Sequence, residues 1–104
     1  MNHLSQKTKK VISHYFPTEK EWAEAKLVAF CESLSEYLTE CTTAESYERF
    51  CLAVLKIGKT SKEKFLGAIK LGKTDYRDLF VAAGFGNSTT IHNDWALNLT
   101  KPKT

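Results

Sequence analysis

Residues 67–74, GAIKLGKT, satisfy the G-x-x-x-x-G-K-[ST] pattern of a phosphate-binding loop. In such a loop the backbone amides wrap a phosphate and the lysine meets its charge, so nucleotide chemistry is the first possibility to weigh. The surroundings argue against it. A phosphate loop follows a buried strand, whereas Gly67 follows SKEKFL, polar and helical in pattern, and the four residues inside the motif are the apolar AIKL. Residues 51–60, CLAVLKIGKT, repeat residues 65–74, FLGAIKLGKT, and the second copy passes for a phosphate loop only because Gly67 stands where the first has Ala53. Both Gly-Lys-Thr units are better read as helix corners, with Gly58 and Gly72 just past a helix end and Thr60 and Thr74 capping the next helix.

The other reactive residue types form no catalytic pattern. Cys31, Cys41 and Cys51 are ten apart, lack the C-x-x-C spacing of zinc or redox sites, and lie among apolar residues. They read as small buried hydrophobes. His3 and His14 have no carboxylate or cysteine at a recognisable spacing, and His92 lies one turn from Trp95, where packing or hydrogen bonding is its expected role. No metal site, cofactor or general acid–base pair can be proposed, and the expectation is a protein that binds rather than catalyses.

The elements that must position these residues read as helices nearly throughout. Ala23, Leu27, Phe30, Leu34, Tyr37 and Cys41 recur at steps of four and three, one face of a long helix whose start is marked by Pro17 and by Thr18 with Glu21, a capping box. A weaker helix over roughly 2–15 turns Leu4, Val11, Ile12 and Tyr15 inward. Shorter helices follow at about 43–57, 61–71 and 74–83. Gly84 and Gly86 then break the chain, and Asn87 or Ser88 can cap a last helix of about 88–98. With 104 residues, five glycines and two prolines, the composition fits one all-α domain over 1–100, a compact bundle of five to six helices, with a frayed polar tail at 101–104.

The run from Tyr47 to Trp95 resembles a family of small bacterial proteins of unknown function whose C-terminal half carries D-[WY]-R-D-L-L, an A-G-F break and a closing H-x-x-W helix. The matching positions are Asp75, Tyr76, Arg77, Asp78, Leu79, Ala83, Gly84, Phe85, His92 and Trp95. The resemblance covers about half the chain and implies an all-helical fold without an established activity. Some members of the family neighbour toxin systems, which implies a toxin-immunity or accessory role.

Charge is distributed unevenly along the chain. Residues 1–18 carry net +3, residues 19–48 net −6 and the remainder net +6. Glu32, Glu36 and Glu40 form a like-charged ridge at i, i+4 and i+8. Either it is a solvated face or it docks on a basic protein partner such as a cationic toxin. Arg77 is left to reach an acid on a neighbouring helix or else to anchor such a partner. The alternative is nucleic-acid binding by the basic half, where Lys56, Lys59, Lys62, Lys64, Lys70 and Lys73 gather about the two corners. Against it, the helix after Thr74 offers only Arg77 among basic groups, beside Asp75 and Asp78. Homodimers pairing the acidic half of one chain with the basic half of another are a third candidate. No apolar run nears the length of a membrane span, and MNHLSQKTKK has no apolar signal core, so a cytoplasmic location is expected and the two N-x-[ST] patterns are read as coincidental.

Overall fold

The computed structural model describes residues 4–36, 44–86 and 90–100. Six helices account for most of them and no strand occurs among them: α1 (Gln6–Tyr15), α2 (Lys20–Ser35), α3 (Ala44–Gly58), α4 (Lys62–Thr74), α5 (Tyr76–Ala82) and α6 (Ile91–Leu99). The expectation of a compact all-α bundle is met. Tyr37, Glu40, Cys41, the proposed cap at Asn87 or Ser88 and the tail at 101–104 lie outside the described residues.

The bundle is organised around α3. From Phe50 to Leu55 every residue is buried, so this stretch is apolar on all sides and must be enclosed by other helices. It is: α1, α2, α4, α5 and α6 all pack against α3. The inward face of α2 consists of Ala23, Leu27, Phe30 and Leu34, as the periodicity predicts, together with Cys31. Cys31 Sγ meets Cys51 Sγ of α3 at 3.4 Å inside the core, where both act as small apolar side chains.

The caps differ from expectation in instructive ways. Ser5 starts α1: its Oγ accepts the Thr8 amide at 3.1 Å, and the helix begins at Gln6 rather than near residue 2. The Thr18–Glu21 capping box does not form. Glu19 takes the N-cap position of α2 without a side-chain cap bond. Ser61 rather than Thr60 caps α4, accepting the Lys64 amide at 3.2 Å, and Asp75 rather than Thr74 caps α5, accepting the Arg77 amide at 3.0 Å. Thr74 instead turns its hydroxyl back to the Lys70 carbonyl.

Neither Gly58 nor Gly72 is a left-handed cap. The left-handed residue at the first corner is Lys59, with φ of 50°. Gly58 ends α3 where a Cβ would stand 2.7 Å from the Phe65 Cα. Gly72 is buried in the last turns of α4, where a Cβ would stand 2.6 Å from the Phe30 ring. Both glycines are present because another helix passes too close for a side chain. The stretch 67–74 lies wholly inside α4, where its backbone amides are engaged in helix hydrogen bonds rather than free to bind phosphate.

Candidate functional site

A concave site lies between α3, α5 and the turn after α5. Phe50 faces inward on α3 and forms its floor with Phe80 of α5, the two ring centroids 4.9 Å apart. Tyr76, one turn before Phe80, closes the cluster at 5.8 Å from Phe50 and 6.1 Å from Phe80. Phe30 of α2 stacks edge-on beneath Phe50 at 6.2 Å and ties the floor to the core. The cavity above holds about 290 Å³ and is bordered by Arg49, Arg77, Val81 and Gly86 as well as the rings.

Arg49 is the residue that gives the site its character. Its guanidinium lies over Phe80, 4.0 Å from the ring centroid, and donates from Nη2 to the Gly86 carbonyl at 2.9 Å. That carbonyl is presented by a turn in which Gly84 and Gly86 take φ of 81° and 53°. The Nε group is enclosed without a hydrogen-bond partner. Burial lowers the Arg49 pKa from its usual value, with the nearby Tyr76 acting in the opposite sense. Its neighbour in sequence, Glu48, does not neutralise it. Glu48 faces α1 instead, accepting Ser5 Oγ at 2.7 Å and pairing with Lys7 at 3.7 Å.

Arg77 stands exposed on the first turn of α5, its guanidinium 5.9 Å from the Tyr76 ring centroid. Among the described residues, neither Arg49 nor Arg77 lies within ion-pair distance of a carboxylate. Val81, 69% exposed, stands on the rim as an apolar side chain open to solvent. The result is two guanidiniums and a bare valine around an aromatic floor. Among the described residues no carboxylate, histidine or cysteine borders the cavity; its polar side chains are Ser46, Arg49, Tyr76 and Arg77.

The other residues singled out in the sequence are dispersed. Glu32 is exposed on α2 and Glu36 is exposed at its C-cap, while Glu40 lies outside the described residues. Lys56 is half-buried, its Nζ 5.2 Å from the Phe85 ring centroid and 6.0 Å from that of Trp95. Lys62 pairs with Glu19 and lies 4.7 Å over the Trp22 ring. Lys59, Lys64, Lys70 and Lys73 are exposed at the corner and along α4. His92 and Trp95 do share a face, both packing on Phe85, at 5.9 and 6.2 Å. His92 is buried with Nδ1 unpartnered, and burial lowers its pKa. Among the described residues no group of His, Cys, Asp and Glu is placed to hold a metal ion, and no helix is long and apolar enough to cross a membrane.

Arg77 was legible from the sequence, but Arg49 was not. The only available signal was a cation placed directly before the unbroken apolar run Phe50–Leu55, where a charged residue must find some compensation. No protein-family model matches the chain, and no curated protein or solved structure does either.

Proposed function

We propose that the protein acts without catalysis, by docking a protein partner in the α3–α5 cleft. The observation that carries this reading is Arg49, a part-buried guanidinium that covers Phe80 yet meets no carboxylate among the described residues. Removing a cation from water is unfavourable unless opposite charge or full hydrogen bonding compensates it. A partner seated in the cleft would complete that compensation, and Arg77 and Val81 would be its rim contacts. Arginine and aromatic residues around a small pocket are the composition of an interface anchor. A toxin-immunity or accessory role is the setting implied by the resemblance of residues 47–95. In that setting the acidic face bearing Glu32 and Glu36 would be a second surface, suited to a cationic toxin.

Affinity capture from the native host, combined with a photoreactive residue at position 81 or at position 36, tests the reading. Cross-links from position 81, and capture lost in Arg77→Ala at unchanged melting temperature, are expected. Cross-links from position 36 alone would move the docking site to the acidic face.

A second reading rests on α4. The three residues 59–61 between α3 and α4 match a helix-turn-helix spacing, and α4 exposes Lys64, Lys70 and Lys73. Lys56 and Lys62, however, already lie against aromatic rings. Mobility-shift titration with duplex DNA and with RNA tests this reading. A steep salt dependence lost on replacing Lys70 and Lys73 would establish it.

A further inference from the structure

We infer that the α3–α5 cleft is built for an acidic peptide segment: a side-chain carboxylate held by Arg49 and Arg77, with an adjacent apolar side chain against the exposed Val81 and the half-buried Tyr76 ring. The inference rests on the docking reading above and assigns the chemistry of the docked element.

Charge comes first. Two guanidiniums from different helices border one cavity, and among the described residues neither is paired with an acid. The Gly86 carbonyl and the Phe80 face fix Arg49 in place, so the ordering of its long side chain is already complete before a ligand arrives. A planar, immobilised guanidinium is suited to a carboxylate, which it can meet with two parallel hydrogen bonds.

Size and floor narrow the class. A volume of about 290 Å³ admits one or two side chains rather than a whole helix. The exposed Val81 and the half-buried Tyr76 ring offer apolar surface next to the charge, which a bare inorganic anion would leave uncovered. A nucleic-acid base is a poorer fit, because Arg49 already occupies the Phe80 ring face at 4.0 Å and removes it as a stacking platform. An acidic residue beside an aliphatic one satisfies both parts of the cleft.

Methyl and arginine Nε–H NMR of the full chain tests the inference. The probes are the blocked dipeptides acetyl-Glu-Leu-amide and acetyl-Gln-Leu-amide, with inorganic phosphate as a third titrant. The glutamate probe is expected to shift the Val81 methyls and Arg49 Nε–H saturably, with a dissociation constant of the order of 1 mM, and the glutamine probe to bind about tenfold more weakly. Arg77→Ala and Arg49→Lys should each weaken the glutamate probe, and unchanged melting curves establish that the fold survives. Equal shifts from the two dipeptides, no saturable shift at all, or displacement by phosphate at equal concentration would overturn the assignment. The two readings fail separately. Partner cross-links at position 81 without dipeptide binding leave docking intact and remove its acidic chemistry, whereas dipeptide binding with cross-links elsewhere leaves the site and removes the docking.

Discussion

Two of the aromatic clusters that carry a cation on one of their rings are finished differently. In the first, Phe16, Trp22 and Phe65 join the end of α1 to the starts of α2 and α4, with centroid distances of 5.3 to 5.9 Å. Lys62 lies over Trp22 and is neutralised by Glu19. In the second, Phe50, Tyr76 and Phe80 join α3 to α5, and Arg49 lies over Phe80 with a backbone carbonyl as its hydrogen-bond partner. The first cluster is a closed joint in which every charge has its complement. The second has the same aromatic construction beneath an open cavity and a cation with no acid partner among the described residues. A cation on an aromatic ring is therefore ordinary packing here, and what distinguishes the second cluster is the cavity beside Arg49 together with the lack of an acid partner among the described residues.

The sharpest way to break the comparison is to remove the joint. Phe65 is fully buried, so Phe65→Ala should lower the unfolding free energy by about 3–5 kcal/mol. Tyr76→Ala, at a half-buried ring, should cost clearly less. Urea denaturation of the two variants decides it, and equal losses would mean that the second cluster is as closed as the first.

Gly72→Val comes next. Its side chain would collide with Phe30, which supports the floor of the cleft through Phe50, and overpacking of this kind costs about 1–3 kcal/mol. The same urea midpoints measure it, and an unaltered midpoint would show that Phe30 can yield.

A smaller effect would sharpen the contrast by supplying the missing acid. Val81→Glu places a carboxylate on the rim beside the two guanidiniums and, at an exposed position, should stabilise by no more than about 1 kcal/mol. It should also abolish binding of the glutamate dipeptide. For comparison, Glu19→Gln at the first cluster removes an existing exposed pair and should destabilise by about 0.2–1 kcal/mol.

The smallest effect concerns His92, near the second cluster. Burial lowers its pKa; Glu48 and Asp94 oppose the shift, while Arg49 and Lys7 add to it. With the folded pKa below the unfolded one, the unfolded chain binds more protons. The contribution to stability is complete above about pH 6.5 and declines as the pH falls from there toward the lowered folded value. Melting temperatures between pH 7 and 5 should therefore fall in the wild type and fall less in His92→Gln.

The sequence disclosed those parts of the fold that depend on local pattern. The α2 face at Ala23, Leu27, Phe30 and Leu34 followed from spacing, as did the pairing of His92 with Trp95. The corners were visible as corners, but the parts played in them were not. Gly58 and Gly72 looked like left-handed caps because nothing local reveals that Phe65 and Phe30 pass within 3 Å of where their Cβ atoms would be. The left-handed conformation fell to Lys59. The caps moved by one residue, to Ser61 and to Asp75, the latter with Thr74 bonded back to a carbonyl of its own helix. The site was half visible. Arg77 was noticed for its motif, whereas Arg49 acquires its role only through Phe80 and through Gly86, 37 residues away.

The enclosure of α3 on all sides has a consequence for the order in which the molecule opens. The amides of Phe50 to Leu55 lie in a helix packed by five others, so no single neighbour can leave and expose them to solvent exchange. Their deuterium uptake should report the global unfolding free energy. α5 is seven residues long and anchored mainly by Leu79 and Phe80, so its amides should exchange through a smaller opening. The wall of the cleft that bears Arg77 and Val81 is thus its yielding side, and the wall that bears Arg49 belongs to the last part of the chain to let go.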